Sequence, residues 1–177
     1  TLTGYGRVGV SYLGGGGTVA GTTLTGGGGP LTYGVQAFDG AAVLVTGNVI
    51  AGHTGGAGGA ASAGVFVSTL PPANPAVVAV VGNRLSGNAV GLLVGDGSGP
   101  DPSAVTAGYN QLAGNGVGAA AEFSTVAVDA RFNWWGDPSG PGGPPGGLGD
   151  SVSGNVRTDG FLAAPLPVAV ASGVADY

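Results

Sequence analysis

The chain has 177 residues, 43% of them hydrophobic and 7% charged, with a formal net charge of −5 at pH 7. That length suits one domain, and the apolar fraction suffices for a core built largely of small side chains. With no cysteine and four cationic residues, Arg7, Arg84, Arg131 and Arg157, a disulfide framework is excluded and a nucleic-acid partner lacks the basic surface it needs.

In chain order, residues 1–32 are the least regular part, with GGGG at 14–17 and 26–29, and are expected to form irregular N-terminal coils. A short pattern then becomes clear from about 33 to 136. Its anchors are Thr22, Asn48, Asn83, Asn110 and Asn133, spaced 26, 35, 27 and 23 residues apart. Two places after each anchor stand Leu24, Ile50, Leu85, Leu112 and Trp135, and three places before stand Val19, Val45, Val80, Ala107 and Ala130. A second series, VGVSY, YGVQA, AGVFV, VGLLV and VGAAA, sets glycines at 9, 34, 64, 91 and 118, spaced 25, 30, 27 and 27. Two independent columns with nearly one period predict a solenoid whose turns bury their apolar faces only by stacking. Alternation such as Val43, Val45 or Val78, Val80 predicts strands, with Gly and Asn at the corners. Length variation falls in 53–63, 68–75 and 95–102, which are expected to bulge as loops at one corner.

After FNWWG, residues 137–150 are rich in Pro and Gly and read as a wrap, since those residues oppose regular strand pairing. Residues 151–177 resume with SGNV, and with Phe161, Leu162 and the alternating Val168, Val170 read as a segment that caps the open end of the stack or docks on another molecule. The domain is therefore divided as 1–136 coils, 137–150 wrap and 151–177 cap.

The GN-x-[IL]-x-G-N columns, the V-x-V before them and the closing NWWGDPSGP (133–141) resemble the right-handed parallel β-helix repeat proteins of the pectate-lyase-like superfold, over roughly residues 33–165. The resemblance implies an all-β, right-handed parallel β-helix of about five to six coils with a C-terminal cap. It implies that Asn48, Asn83, Asn110 and Asn133 stack into an internal ladder, from which Thr22 departs, and that Trp135 closes the inward column of Leu24, Ile50, Leu85 and Leu112. Such proteins are widespread among secreted and surface proteins, and the fold hosts lyases, glycosidases, adhesins and passive stalks alike.

Paired catalytic carboxylates would need to share a column or stand two residues apart, and no such adjacent pair occurs. Asp96 and Glu122 are 26 residues apart, near the period, and Asp96 with Asp101 could clasp a loop calcium. The simpler expectation is that the acidic residues are solvated loop positions, with no catalytic residue, metal site or cofactor. His53, the single histidine, falls where later coils carry Asn88 and Asn115, and reads as a polar substitute at a turn. A regular Thr-x-Thr array for ice binding breaks down after Thr23 and Thr25. No apolar run reaches the 18 or so residues of a membrane span. The first residues lack a charged and apolar leader, so any export signal is expected to lie outside the chain or to have been removed.

The expected function is a non-enzymatic extracellular or cell-surface structural protein, a stalk or filament subunit whose partner is itself, end to end or laterally. The alternative is a carbohydrate-binding adhesin or accessory module for a surface polysaccharide. Its face would lie around Trp134, Tyr109, Arg84 and Arg131, where Arg84, Gln111 and Trp134, each one place after its anchor, form one outward stripe, because an arginine, an amide and an indole in a row can read an acidic glycan.

Overall fold

A computed structural model describes residues 1–57, 60–69, 74–143 and 146–168. Among these there is no helix, so none that could cross a membrane. Three parallel sheets make the molecule. The first holds Val8–Leu13, Tyr33–Phe38, Ala63–Ser68, Val90–Val94, Val117–Ala121, Gly149–Gly154 and the two-residue edge Pro141–Gly142. The second holds Gly16–Ala20, Ala42–Thr46, Val77–Val81, Ala104–Gly108, Val128–Asp129 and Val156–Arg157. The third holds Leu2–Tyr5, Thr23–Gly26, Val49–Ala51, Arg84–Ser86 and Gln111–Leu112, continued by a bridge from Gln111 to Trp134. The chain visits the first, second and third sheet in turn and then starts the next coil, so this is an all-β parallel solenoid.

Register follows the sequence columns. Leu24, Ile50, Leu85 and Leu112 are direct Cα partners in series, and all are buried with Trp135 beyond them. Val19, Val45, Val80 and Ala107 pair likewise on the second sheet. These columns, with Val35, Val65 and Leu92 from the first sheet, form one continuous core.

The glycines of the second series have a steric reason. A Cβ on Gly34 would lie 2.4 Å from Ile50 Cγ2, one on Gly64 3.0 Å from Leu85 Cδ2, one on Gly91 3.1 Å from Leu112 Cδ2, and one on Gly118 2.9 Å from the Trp135 ring. Each coil therefore omits a side chain where the leucine column presses on the first sheet, a close approach only glycine allows.

Three expectations need correction. The first coil is not irregular: Gly16–Ala20 pairs residue for residue with Ala42–Thr46, and Val8–Leu13 with Tyr33–Phe38. Glycine at a strand position removes the sequence signal without removing the ladder. The variable loops do not share one corner, because 53–63 joins the third sheet to the first, while 68–75 and 95–102 join the first to the second. The wrap is also shorter, since Gly149–Gly154 pairs with Val117–Ala121 and Val156–Arg157 with Val128–Asp129, adding a partial coil. Beyond it Leu162 takes the next backbone rung after Trp134, and the chain then turns back along the outside of the third sheet. Leu162 N–H donates to Asn133 O, Gln111 Nε2 donates to Leu166 O, and the Phe161 ring lies against Gly140. Val170 and the rest of 169–177 lie outside the described residues.

Candidate functional site

Polar side chains inside the coils form two ladders. At the corner between the second and third sheets, Thr22 N–H donates to Asn48 Oδ1, Asn48 Nδ2 to Asn83 Oδ1, Asn83 Nδ2 to Asn110 Oδ1 and Asn110 Nδ2 to Asn133 Oδ1, all at 2.9–3.0 Å. The second proton of each Nδ2 goes back to a carbonyl of the preceding coil, those of Val19, Val45, Val80 and Ala107. Burial without partners would be costly, and here each amide is fully engaged.

The other ladder, between the third and first sheets, is chemically mixed. Tyr5 Oη lies 2.6 Å from His53 Nε2, His53 Nδ1 lies 2.9 Å from Asn88 Oδ1, Asn88 Nδ2 donates to Asn115 Oδ1, and Asn115 Nδ2 donates to Asp150 Oδ2. Because Asn88 Oδ1 can only accept, the imidazole carries its proton on Nδ1, and Nε2 accepts a hydrogen bond from the Tyr5 hydroxyl. Burial holds His53 below its ordinary pKa, with the Asn88 hydrogen bond opposing, and pushes Tyr5 up to about 12. His53 is thus the polar substitute its column indicated. Asp150 ends the series and also accepts from Gly114 N–H and Asn115 N–H.

Two carboxylates expected to be solvated are therefore structural. Asp150 closes the mixed ladder, and Asp101 is 2% exposed, accepting from Thr69 N–H and Ser103 N–H. Those backbone donors hold Asp101 inside, away from the exposed Asp96, whose carboxylate caps its own turn at Ser98 N–H and Oγ. Asp137 does the same at Ser139, which holds it below the usual carboxylate range. Asp129 is held down by a two-pronged hydrogen bond from Arg131, at 2.8 and 2.7 Å. Among the described residues no group of three or more His, Cys, Asp or Glu could hold a metal ion.

The outer face of the first sheet is different. A second apolar cluster, centred on Tyr33, Phe66, Val90 and Ala120, lies outside the coil, where a strand facing water would carry polar groups. Tyr33 and Phe66 have ring centroids 4.5 Å apart, and Phe38 meets Phe66 edge-on at 5.0 Å. Over them opens a groove of about 580 Å³, walled by Leu93 and Phe123 and carrying Arg7, Gln36, Asp96 and Glu122. Burial raises the Tyr33 hydroxyl pKa, Arg7 lowers it and Asp96 raises it further, so both charges act on that hydroxyl. Phe123 is 48% exposed and rests its ring on the Gly95–Gly97 turn. The near-period spacing of Asp96 and Glu122 does bring them to one wall. The aromatic floor was missed because Tyr33 and Phe66 stand at different offsets in their coils; only the outward stripe Ser11, Gln36, Phe66, Leu93, Ala120 would have exposed it.

The stripe Arg84, Gln111, Trp134 exists as a register: Arg84 and Gln111 are Cα partners and Gln111 bridges Trp134. Its middle member is engaged, however, with the Gln111 amide bound to the Leu166 carbonyl and Trp134 half-buried. No family model matches the chain, and neither a curated protein nor a solved structure does.

Proposed function

We propose that the chain is a non-enzymatic β-solenoid of the cell exterior that binds an extended glycan along the outer groove of the first sheet. The observation that carries this is the groove itself. It crosses several coils, so it suits a polymer lying along the stack. Its floor is aromatic, and Arg7, Gln36 and Glu122 stand around that floor with no side-chain ion pair or short hydrogen bond among the described residues apart from a 3.4 Å contact of Gln36 with Ser11. Tyr33 and Phe66 are each only 4% exposed and serve as support, so the aromatic face open to a ring bearing hydroxyls is that of Phe123, 48% exposed, with the hydrogen-bonding groups at the groove edge. With this function goes the finer assignment of the fold to the right-handed, pectate-lyase-like type, with residues 133–141 as its closing motif. A glycan array tests the function: we expect a saturable signal for at least one polysaccharide, lost in Phe123→Ala, with no release of unsaturated product. A blank array at millimolar ligand contradicts it.

A second proposal, a structural subunit associating by its ends, is favoured by the first strands of the three sheets, Leu2–Tyr5, Val8–Leu13 and Gly16–Ala20, which have one neighbour each. Sedimentation would then show dimers at rising concentration, and monomers throughout would dismiss it.

A further inference from the structure

The residue before each ladder asparagine turns the corner in the left-handed region: Gly21 at φ 59, Gly47 at 62, Gly82 at 66, then Tyr109 at 59 and Phe132 at 59. Five coils thus use one backbone conformation, three with the residue that adopts it freely and two with bulky aromatics for which it is strained. The strain is not repaid in the core, because Tyr109 is 51% and Phe132 43% exposed. Their rings stack on each other instead, with centroids 5.8 Å apart and planes 13° apart.

The pair is supported on one side only. Behind Phe132, the position of a Cβ on Gly160 lies 3.0 Å from the ring, and the Arg131 guanidinium sits 5.9 Å from its centroid, held by Asp129. Ahead of Tyr109 comes the level of Gly82, where a Cβ would find nothing within 4 Å. On this side the Tyr109 ring has no aromatic neighbour among the described residues, and the space over Gly82 is an open slot. Two places after Gly82 comes the exposed Arg84, which has no ion pair among the described residues.

We infer that this corner, opposite the groove, is a second binding site that takes a single pyranose ring of a glycan, stacked on the free face of Tyr109 over Gly82. A flat aromatic surface, half exposed and stacked on one side only, beside an open backbone shelf matches the C–H face of a sugar ring. A nucleobase would stack equally well, but its phosphates would meet a chain of net charge −5. The site is separate from the groove and does not depend on it.

Proton NMR of the Tyr109 ring during titration with the neutral cellohexaose, xylohexaose or mannohexaose tests it, with adenosine monophosphate as the counter-probe. At least one sugar is expected to shift these signals saturably. Tyr109→Gly keeps the corner conformation and is expected to weaken that binding about tenfold, the equivalent of one aromatic stacking contact of about 1.4 kcal/mol. Gly82→Phe fills the slot and is expected to abolish it, while Phe123→Ala leaves it unchanged. The inference is overturned if no sugar moves the Tyr109 signals at millimolar concentration, if Tyr109→Gly binds as tightly as the parent, or if the nucleotide shifts them more than every sugar. Groove signals responding while Tyr109 stays silent would remove this site alone.

Discussion

The two faces of the first sheet are made by the same strands and obey opposite rules. Inward, Val10, Val35, Val65, Leu92, Ala119 and Val152 form a column with glycines where the leucines press, and nearly every polar group at its border is engaged in a ladder. Outward, Tyr33, Phe66 and Leu93 build a second apolar cluster beneath an open groove. The inner face is determined by stacking, and any change there is felt as stability. The outer face carries bulk that stacking does not need, so change there should be felt in binding.

Substitution on each side tests that division. Asn83→Ala removes an oxygen that accepts from Asn48 N–H and Nδ2, and an amide that donates to Val45 O and Asn110 Oδ1. Leaving those buried groups unsatisfied is expected to cost about 4 kcal/mol in denaturant unfolding. Gly34→Ala places a methyl 2.4 Å from Ile50 Cγ2 and 2.6 Å from Gly64 O. Because one neighbour is backbone, a loss of about 3 kcal/mol is expected from the same measurement.

The ladder corner bounding this sheet should also be sensitive to pH. His53 has a folded pKa below its ordinary value, so the unfolded chain binds a proton more readily. Stability is then complete above about pH 6.5 and declines as pH falls below it toward the folded value. The melting temperature of the parent should drop between about pH 7.5 and 5, whereas His53→Asn, which extends the asparagine column, should give a flatter profile over that window. Equal slopes would show that the imidazole is not held as described. On the outer side, Phe123→Ala is expected to change stability by no more than about 0.5 kcal/mol.

Much of the inner face is legible in the sequence because superposed positions must repeat: spacing alone aligns the Asn48 and Leu24 columns, and in the structure the leucine positions are Cα partners while the asparagines are joined by side-chain hydrogen bonds. Asp150 was missed as the last rung of the mixed ladder because it stands 35 residues after Asn115, beyond the Pro/Gly segment, although His53 to Asn88 spans the same 35. Gly16–Ala20 gives no strand signal because Gly16 and Gly17 occupy strand positions without side chains to repeat, although VGVSY before it belongs to the second glycine series. The outer groove was not legible, since Leu31, Phe66 and Phe123 come from loops and strands of several coils. Tyr109 belongs to the outward face that the sequence offers for a glycan, but its stacking on Phe132 is legible only when both are aligned with Gly21, Gly47 and Gly82, where an aromatic in a glycine column marks a position under a different constraint.

The most direct test of the division between the faces is a chemical-shift map of the protein titrated with the glycan panel. Saturable shifts confined to the outer residues Tyr33, Phe38, Phe66 and Phe123, with the inward Val35, Val65 and Leu92 unmoved, are expected for the groove. Absence of any saturable shift at those four aromatics, or binding undiminished in Phe123→Ala, would contradict a binding role for the outer face.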